Sequence, residues 1–299
     1  MDNLQILVAA PVFNLQLLVD GVLIGSVFAL AAYGMGLVWG VMRIINIAQG
    51  EFVMLGGYVA LHAAGAGIPP LATIPIAAIV LYLLGWMLYR AVLFRLVDRD
   101  LFTSILATFG LSILLQQIAN QVFGANVRSL DSGLGTLSFG DGQITVAEIK
   151  LVAFGAVLVL GAALVLFLKT SRLGQALRAT AQNAAAARIL GIDTDRVYAA
   201  TFALNAGICG AAGALVAMTW IIHPYLGLTY TVRAFMIVVV AGLGNLPAIA
   251  ASGAALGIAE QYAGFLLGTE FQTAFLFSLL VVILVARQLA LHRQRLYLK

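Results

Sequence analysis

Arg43, Asn46, Gln49 and Glu51 stand close together at the head of a stretch that then runs from Phe52 to Tyr89 without a charge. A cation, two amides and a carboxylate in so apolar a setting can bind a small polar solute, pair with one another, or hold open a break in a helix. A helix starting near Arg43 at a membrane surface climbs about 1.5 Å per residue, which puts Glu51 roughly 12 Å up. An unpaired carboxylate at that depth costs on the order of 3 kcal/mol even on a lenient insertion scale, so Glu51 must face protein or water. At about 100° per residue, Arg43, Asn46 and Gly50 share a face roughly 60° wide, whereas Gln49 and Glu51 fall about 160° apart. One regular helix cannot aim all four at a single lumen. Two readings fit equally: a helix interrupted near Gly50 that lines a translocation path, or inter-helix hydrogen bonds with one buried ion pair.

Other chemistry is missing. A P-loop needs Gly-Lys followed by Ser or Thr, and the lysines are Lys150, Lys169 and Lys299, each preceded by Ile or Leu. His62, His223 and His292 are scattered, which gives no metal-ligand spacing. No Gly-x-Ser-x-Gly turn occurs. The single cysteine, Cys209, lies in an Ala/Gly-rich run and reads as a small packing residue; with one cysteine no disulfide forms within the chain. The residues thus predict neither an enzyme nor a bound cofactor.

The solvent around these residues is lipid. The 299 residues are 63% hydrophobic and 9% charged, with mean hydropathy +1.05, too few polar groups to coat a water-soluble globule. The runs Phe52 to Tyr89, Leu101 to Val127, Leu151 to Leu168 and Val197 to Val232 each match or exceed the ~18 to 20 residues that cross a bilayer core. They are apolar at consecutive positions, which excludes a barrel and predicts an all-α polytopic bundle of about eight or nine membrane segments. A net charge of +4 and a pI near 9.4 suit basic cytoplasmic loops and do not argue for nucleic acid. Arg90, Arg95 and Arg99, then Lys169 to Arg196, then Arg287 to Lys299 mark three such loops.

Spans are predicted near 15 to 39, 44 to 64, 71 to 93, 101 to 123, 149 to 168, 197 to 220, 231 to 245, 248 to 266 and 271 to 288, within one transmembrane domain over 1 to 299. The loop NVRSLDSGLGTLSFGDGQ lies outside and suits turns. With Asp2 and no basic residue before its apolar part, the amino terminus reads as part of the first span and not as a signal peptide. Small residues at four-residue spacing (Gly21, Gly25 and Ala29; Ala32, Gly36 and Gly40; Gly253 and Gly257) predict close helix contacts without saying between which helices. Arg233 belongs at the outer mouth, where snorkelling to headgroups is the expectation. Glu260 needs a partner and Glu270 reads as a solvated rim residue.

From Ser171 the sequence SRLGQALRATAQNAAAARILGIDTDRV predicts helix, a stop at Gly191 and a cap at Asp193, with Arg172, Arg178 and Arg188 keeping it in water. A helical hairpin there is a handle for a soluble partner. The stretches GLVWGVMRIINIAQGEFVMLGGYV, LGQALRATAQNAAAARILGIDTDRVYAATFALNAGICGAAGAL and HPYLGLTYTVRAFMIVVVAGLGNLPAIAASGAALGIAEQ resemble the permease subunits of branched-chain amino acid ABC importers. The resemblance is to the leucine/isoleucine/valine type, the H-type chain of the pair. It implies a multi-pass protein of the bacterial inner membrane that works with a homologous second permease subunit, two cytoplasmic ATPase subunits and an extracytoplasmic amino-acid-binding protein. It also implies that the coupling segment at 171 to 196 docks the ATPase through Arg172, Gly174, Arg178, Asn183, Gly191, Asp193 and Arg196, and that Arg43, Asn46, Gln49, Gly50 and Glu51 lie by the substrate path. Gln49 stands where many relatives have histidine, and Pro247 where glycine is usual. Relatives of this architecture are also associated with urea and amides, and an ion-coupled secondary transporter is the rival class.

Overall fold

The computed structural model describes residue 7 and residues 9–97, 99–139, 144–242 and 245–297, with side chains up to residue 286 and at Leu289. Asp2, the loop tip at 140–143, Gly244 and the basic side chains of the tail lie outside the described residues. Eleven α-helices are described: α1 (Pro11–Met42), α2 (Gln49–Gly65), α3 (Thr73–Ala91), α4 (Leu101–Phe123), α5 (Glu148–Thr170), α6 (Arg172–Gln182), α7 (Ala184–Ile189), α8 (Thr194–Thr219), α9 (Gly227–Ala241), α10 (Leu246–Leu267) and α11 (Gln272–Tyr297). Pro11 and Pro247 sit in the first turns of α1 and α10, where a missing N–H costs nothing.

Helix α8 is the axle. In its most apolar stretch 89% of residues are buried inside the chain, against 6% at the start of α11, which therefore lies at the rim. The cause is composition: α8 presents glycine and alanine on several faces, so backbones come close where lipid offers no hydrophobic drive between helices. Gly207 and Gly210 lie against Ala77, Ala78 and Leu81 of α3, and Gly213 against Val53 and Gly57 of α2. The ladder Gly21, Gly25, Ala29 of α1 meets Gly253 and Gly257 of α10, which supplies the partners that spacing alone could not name.

Six helices among the described residues are long and apolar enough to cross a bilayer. Together with α2, α9 and α10, which are shorter or less apolar, they suit the eight or nine membrane segments expected, and the chain is a polytopic helical membrane protein. The outside loop departs from the all-turn expectation. Strands β1 (Thr136–Phe139) and β2 (Ile144–Ala147) pair antiparallel, Thr136 opposite Ala147. The hairpin is tied to the outer end of α1, where the Gln16 amide donates to the Thr145 carbonyl at 2.8 Å and accepts from its N–H at 3.0 Å. Asp20 and Lys150 add an ion pair at 2.5 Å.

Candidate functional site

Between α1 and α2 the chain leaves the helix. Arg43 takes φ 55°, a left-handed conformation uncommon outside glycine, and ends α1. The interruption therefore covers 43–48, not Gly50, and the expected helix start near Arg43 is displaced to Gln49. Irregular backbone survives at membrane depth only when protein satisfies it. Here two threonines do so. The Ile47 N–H donates to Thr108 Oγ1 of α4 at 3.2 Å, and the Gly50 N–H donates to Thr231 Oγ1 of α9 at 2.8 Å. The Thr231 hydroxyl in turn reaches the Ile47 carbonyl at 3.0 Å, and Asn46 Oδ1 accepts from the Ala48 N–H at 3.1 Å.

Gln49 fixes the depth of the break. Its amide donates to the Ala31 carbonyl at 2.9 Å and to Asn205 Oδ1 at 2.8 Å, with Cys209 Sγ at 3.0 Å. Ala31 stands about 16 Å of helix rise above Met42, the end of α1, so α2 begins near the middle of the bilayer. Asn46, Gln49 and Glu51 are all buried, while Arg43 is exposed. Glu51 Oε1 accepts from Ser112 Oγ at 2.9 Å, and its carboxyl packs against Gly227, the first residue of α9. Two helix N-termini thus meet at one carboxyl, each contributing partial positive charge. Gly50 and Gly227 are required, since a methyl group on Gly50 would collide with the Gly227 carbonyl. No cation pairs with Glu51 among the described residues, so the buried ion pair of the second reading is not what compensates it.

The ion pair occurs nearer the outer end. Arg233 Nε of α9 meets Glu260 Oε1 of α10 at 2.8 Å, with side-chain exposures of 13% and 7%. Arg233 therefore does not snorkel, because Glu260 offers a carboxylate at the same depth; Glu260 gains the partner it needs, and Glu270 is exposed at the rim. The guanidinium lies over Phe28 at 4.7 Å and beside Tyr230 at 5.9 Å. These groups, with Trp220 and His223, line a cavity of about 390 Å³. Only Nε of Arg233 is spent on Glu260, so its terminal nitrogens remain available to an anion. A cation, a carboxylate and aromatic rings on one wall suit a zwitterion with an apolar side chain. Phe28 and Trp220 were not legible as site residues, since they sit in apolar runs that look like core.

The hairpin from Ser171 follows its caps. Ser171 Oγ accepts from the Gly174 N–H at 2.8 Å, Asn183 Oδ1 from the Ala186 N–H at 3.0 Å, and Asp193 Oδ1 from the Arg196 N–H at 3.1 Å. Gly191, at φ 82°, stops α7. Gly174 presses on the Phe167 carbonyl, fixing the angle between α5 and α6. Arg172 and Arg178 are exposed, and Arg196 pairs with Asp193 at 2.9 Å on the surface. Sequence reasoning missed the two apolar residues at the end of α7. Ile189 is 88% exposed and Leu190 80%, and the signal for them was an Ile-Leu pair beside the stop glycine of a polar hairpin.

Residues 17–285 match the family described as branched-chain amino acid transport system / permease component. The high-affinity branched-chain amino acid transport system permease protein LivH of Escherichia coli (strain K12) is 33% identical, over 91% of this chain and 93% of that protein. The high-affinity permease protein BraD of Pseudomonas aeruginosa is 29% identical over 91% of this chain and 94% of its own. A probable branched-chain amino acid transport permease protein of Methanocaldococcus jannaschii is 28% identical over 87% of this chain and 85% of its own. No solved structure matches the chain.

Proposed function

The chain belongs to the branched-chain amino acid transport permease family, a group of inner-membrane transport proteins and not enzymes, and from that premise we propose that it is the permease subunit of an ATP-driven importer for hydrophobic amino acids. The observation that carries the substrate assignment is the outer cavity, in which Arg233 and Glu260 stand beside Phe28 and Tyr230. Arg233 takes the carboxylate of the amino acid, Glu260 its ammonium, and the rings its apolar side chain. Below that cavity, Asn46, Gln49, Gly50 and Glu51 form the closed part of the path, and Arg43 stands at its cytoplasmic end. The segment's broken backbone supports a place on the path, because helices interrupted at mid-membrane commonly line the solute sites of transporters.

The permease works as a pair with a homologous chain, receives its solute from an extracytoplasmic binding protein, and is driven by two cytoplasmic ATPases. The hairpin 171–196 is the coupling segment, with Arg172, Gly174, Arg178, Asn183, Gly191, Asp193 and Arg196 giving it shape and charge. The test is ATP hydrolysis by the reconstituted importer with its binding protein, stimulated by leucine, serine or urea. Leucine stimulates most, and Arg233→Gln lowers that stimulation more than ten-fold, as expected for a charge-assisted contact worth about 1.5 to 3 kcal/mol. Stimulation by urea alone overturns the substrate assignment, and uptake by this chain alone under an ion gradient overturns the mechanism.

A further inference from the structure

A second cavity, of about 440 Å³, opens at the cytoplasmic end of the bundle. It lies where the end of α1, the turn before α4 and the bend between α6 and α7 come together, lined by Arg43, Arg99, Ser104, Thr180, Gln182 and Asn183. Two guanidinium groups face one space that, among the described residues, no carboxylate lines. Among the described residues neither arginine makes an ion pair. Thr180 is 98% buried, from a relative exposure of 2%, and its hydroxyl has no hydrogen-bond partner. Arg43 enters this cavity from the only described non-glycine residue with positive φ, a cost that the fold bears at the point where the guanidinium is presented.

The cavity does not suit the transported solute. A zwitterion needs a carboxylate or several acceptors for its ammonium, and this lining sets two guanidinium groups beside amides, hydroxyls and the apolar Val41, Met42, Ile44 and Leu96, a balance that favours an anion with an apolar part. Its depth points to another ligand. On the same side of the bundle Arg90 lies over Trp86 at 5.7 Å and Arg95 over Phe94 at 5.3 Å, with Trp86 and Phe94 about half exposed. Amphipathic rings paired with basic residues mark the headgroup level of the inner leaflet. Beside the cavity, Leu101, Phe102, Leu106 and Phe109 of α4 are exposed in a row that acyl chains can cover.

We infer that this cavity is a binding site for a phosphate group, carried by an anionic phospholipid of the inner leaflet, with Arg43 and Arg99 holding the phosphate and the exposed face of α4 seating the acyl chains. Because the site joins α1, α4 and the hairpin, a bound headgroup cross-links the broken helix to the coupling segment. The inference does not depend on which solute is carried.

The full-length chain is purified in mild detergent and its retained lipid counted by mass spectrometry, and its thermal unfolding is followed in phosphatidylcholine nanodiscs with added phosphatidylglycerol or with added inorganic phosphate. Retained phosphatidylglycerol falls roughly five-fold for each arginine removed in Arg43→Gln and Arg99→Gln, and falls less in Arg99→Lys. Arg99 is exposed in a turn, so its variants fold even if those of Arg43 do not. Stabilisation by phosphatidylglycerol that Arg99→Gln abolishes supports the lipid as source. Stabilisation by inorganic phosphate with the same dependence on Arg99 keeps the phosphate site and overturns the lipid. Equal lipid retention and equal unfolding temperatures in wild type and Arg99→Gln overturn the inference entirely.

Discussion

Gln49 joins three helices at the break: its amide ties the first turn of α2 to α1 through Ala31 and to α8 through Asn205. Replacing Gln49 by leucine keeps the volume and strips both acceptors of their donor. The expected cost is about 1 to 3 kcal/mol, the penalty for buried groups left unpaired, read as a shift in unfolding by denaturing detergent. Gln49→His keeps one ring N–H at that depth and costs less than Gln49→Leu. Equal losses in the two variants would show that packing and not hydrogen bonding sets the junction. The sequence exposed the need for such a junction, because Asn46, Gln49 and Glu51 are too polar for lipid. It did not expose the partners, since Asn205, Ser112, Thr108 and Thr231 lie far away in the chain and on three different helices.

At the scale of elements, helix spans were legible because apolar runs have a length that lipid dictates, and the cap at Asp193 was legible because its short side chain accepts from the next turn, whereas the break capped by Asn183 inside the alanine-rich stretch was not. The shift of the break from Gly50 to 43–48 was not, because it depends on threonines donated by α4 and α9. Nor was the β-hairpin, whose two four-residue strands hide in a loop rich in glycine and serine. The hairpin α6–α7 shows the same limit. Its stop at Gly191 and its cap at Asp193 could be read, but only packing reveals that Ile189 and Leu190 project from it. Burying each side chain in a partner is worth about 1.5 to 3 kcal/mol, so Ile189→Asp and Leu190→Asp should each weaken recovery of the ATPase subunits on the tagged permease at least ten-fold. Membrane levels of the permease should stay unchanged, because both side chains are mostly exposed in the chain itself. Undiminished recovery in the double variant would remove this hairpin tip from the docking surface.

Across the whole molecule, one cavity opens beside Arg233 and Glu260 and another beside Arg43 and Arg99, and the cluster of Gln49, Glu51 and Ser112 is buried among the helices. On the path proposed above a solute passes only when that cluster parts, and the hydrogen bonds across it join α2 to α1, α4, α8 and α9. The chain is suited to a direct test, because Cys209, its one cysteine, is fully buried and should not react with a membrane-impermeant thiol reagent. Thr229→Cys, in the outer cavity, should label from outside only, and Gln182→Cys, in the inner cavity, only in inside-out vesicles. Labelling of Thr229→Cys from the cytoplasmic side alone would reverse the orientation set by the basic loops. Ser112→Cys is 8% exposed in the wild-type residue and bonded to Glu51, so it should be silent in the resting importer and react when ATP and substrate are supplied together. If Ser112→Cys labels as fast at rest as during turnover, water already reaches Glu51, and the cluster is a hydrated part of an open path instead of its closed section.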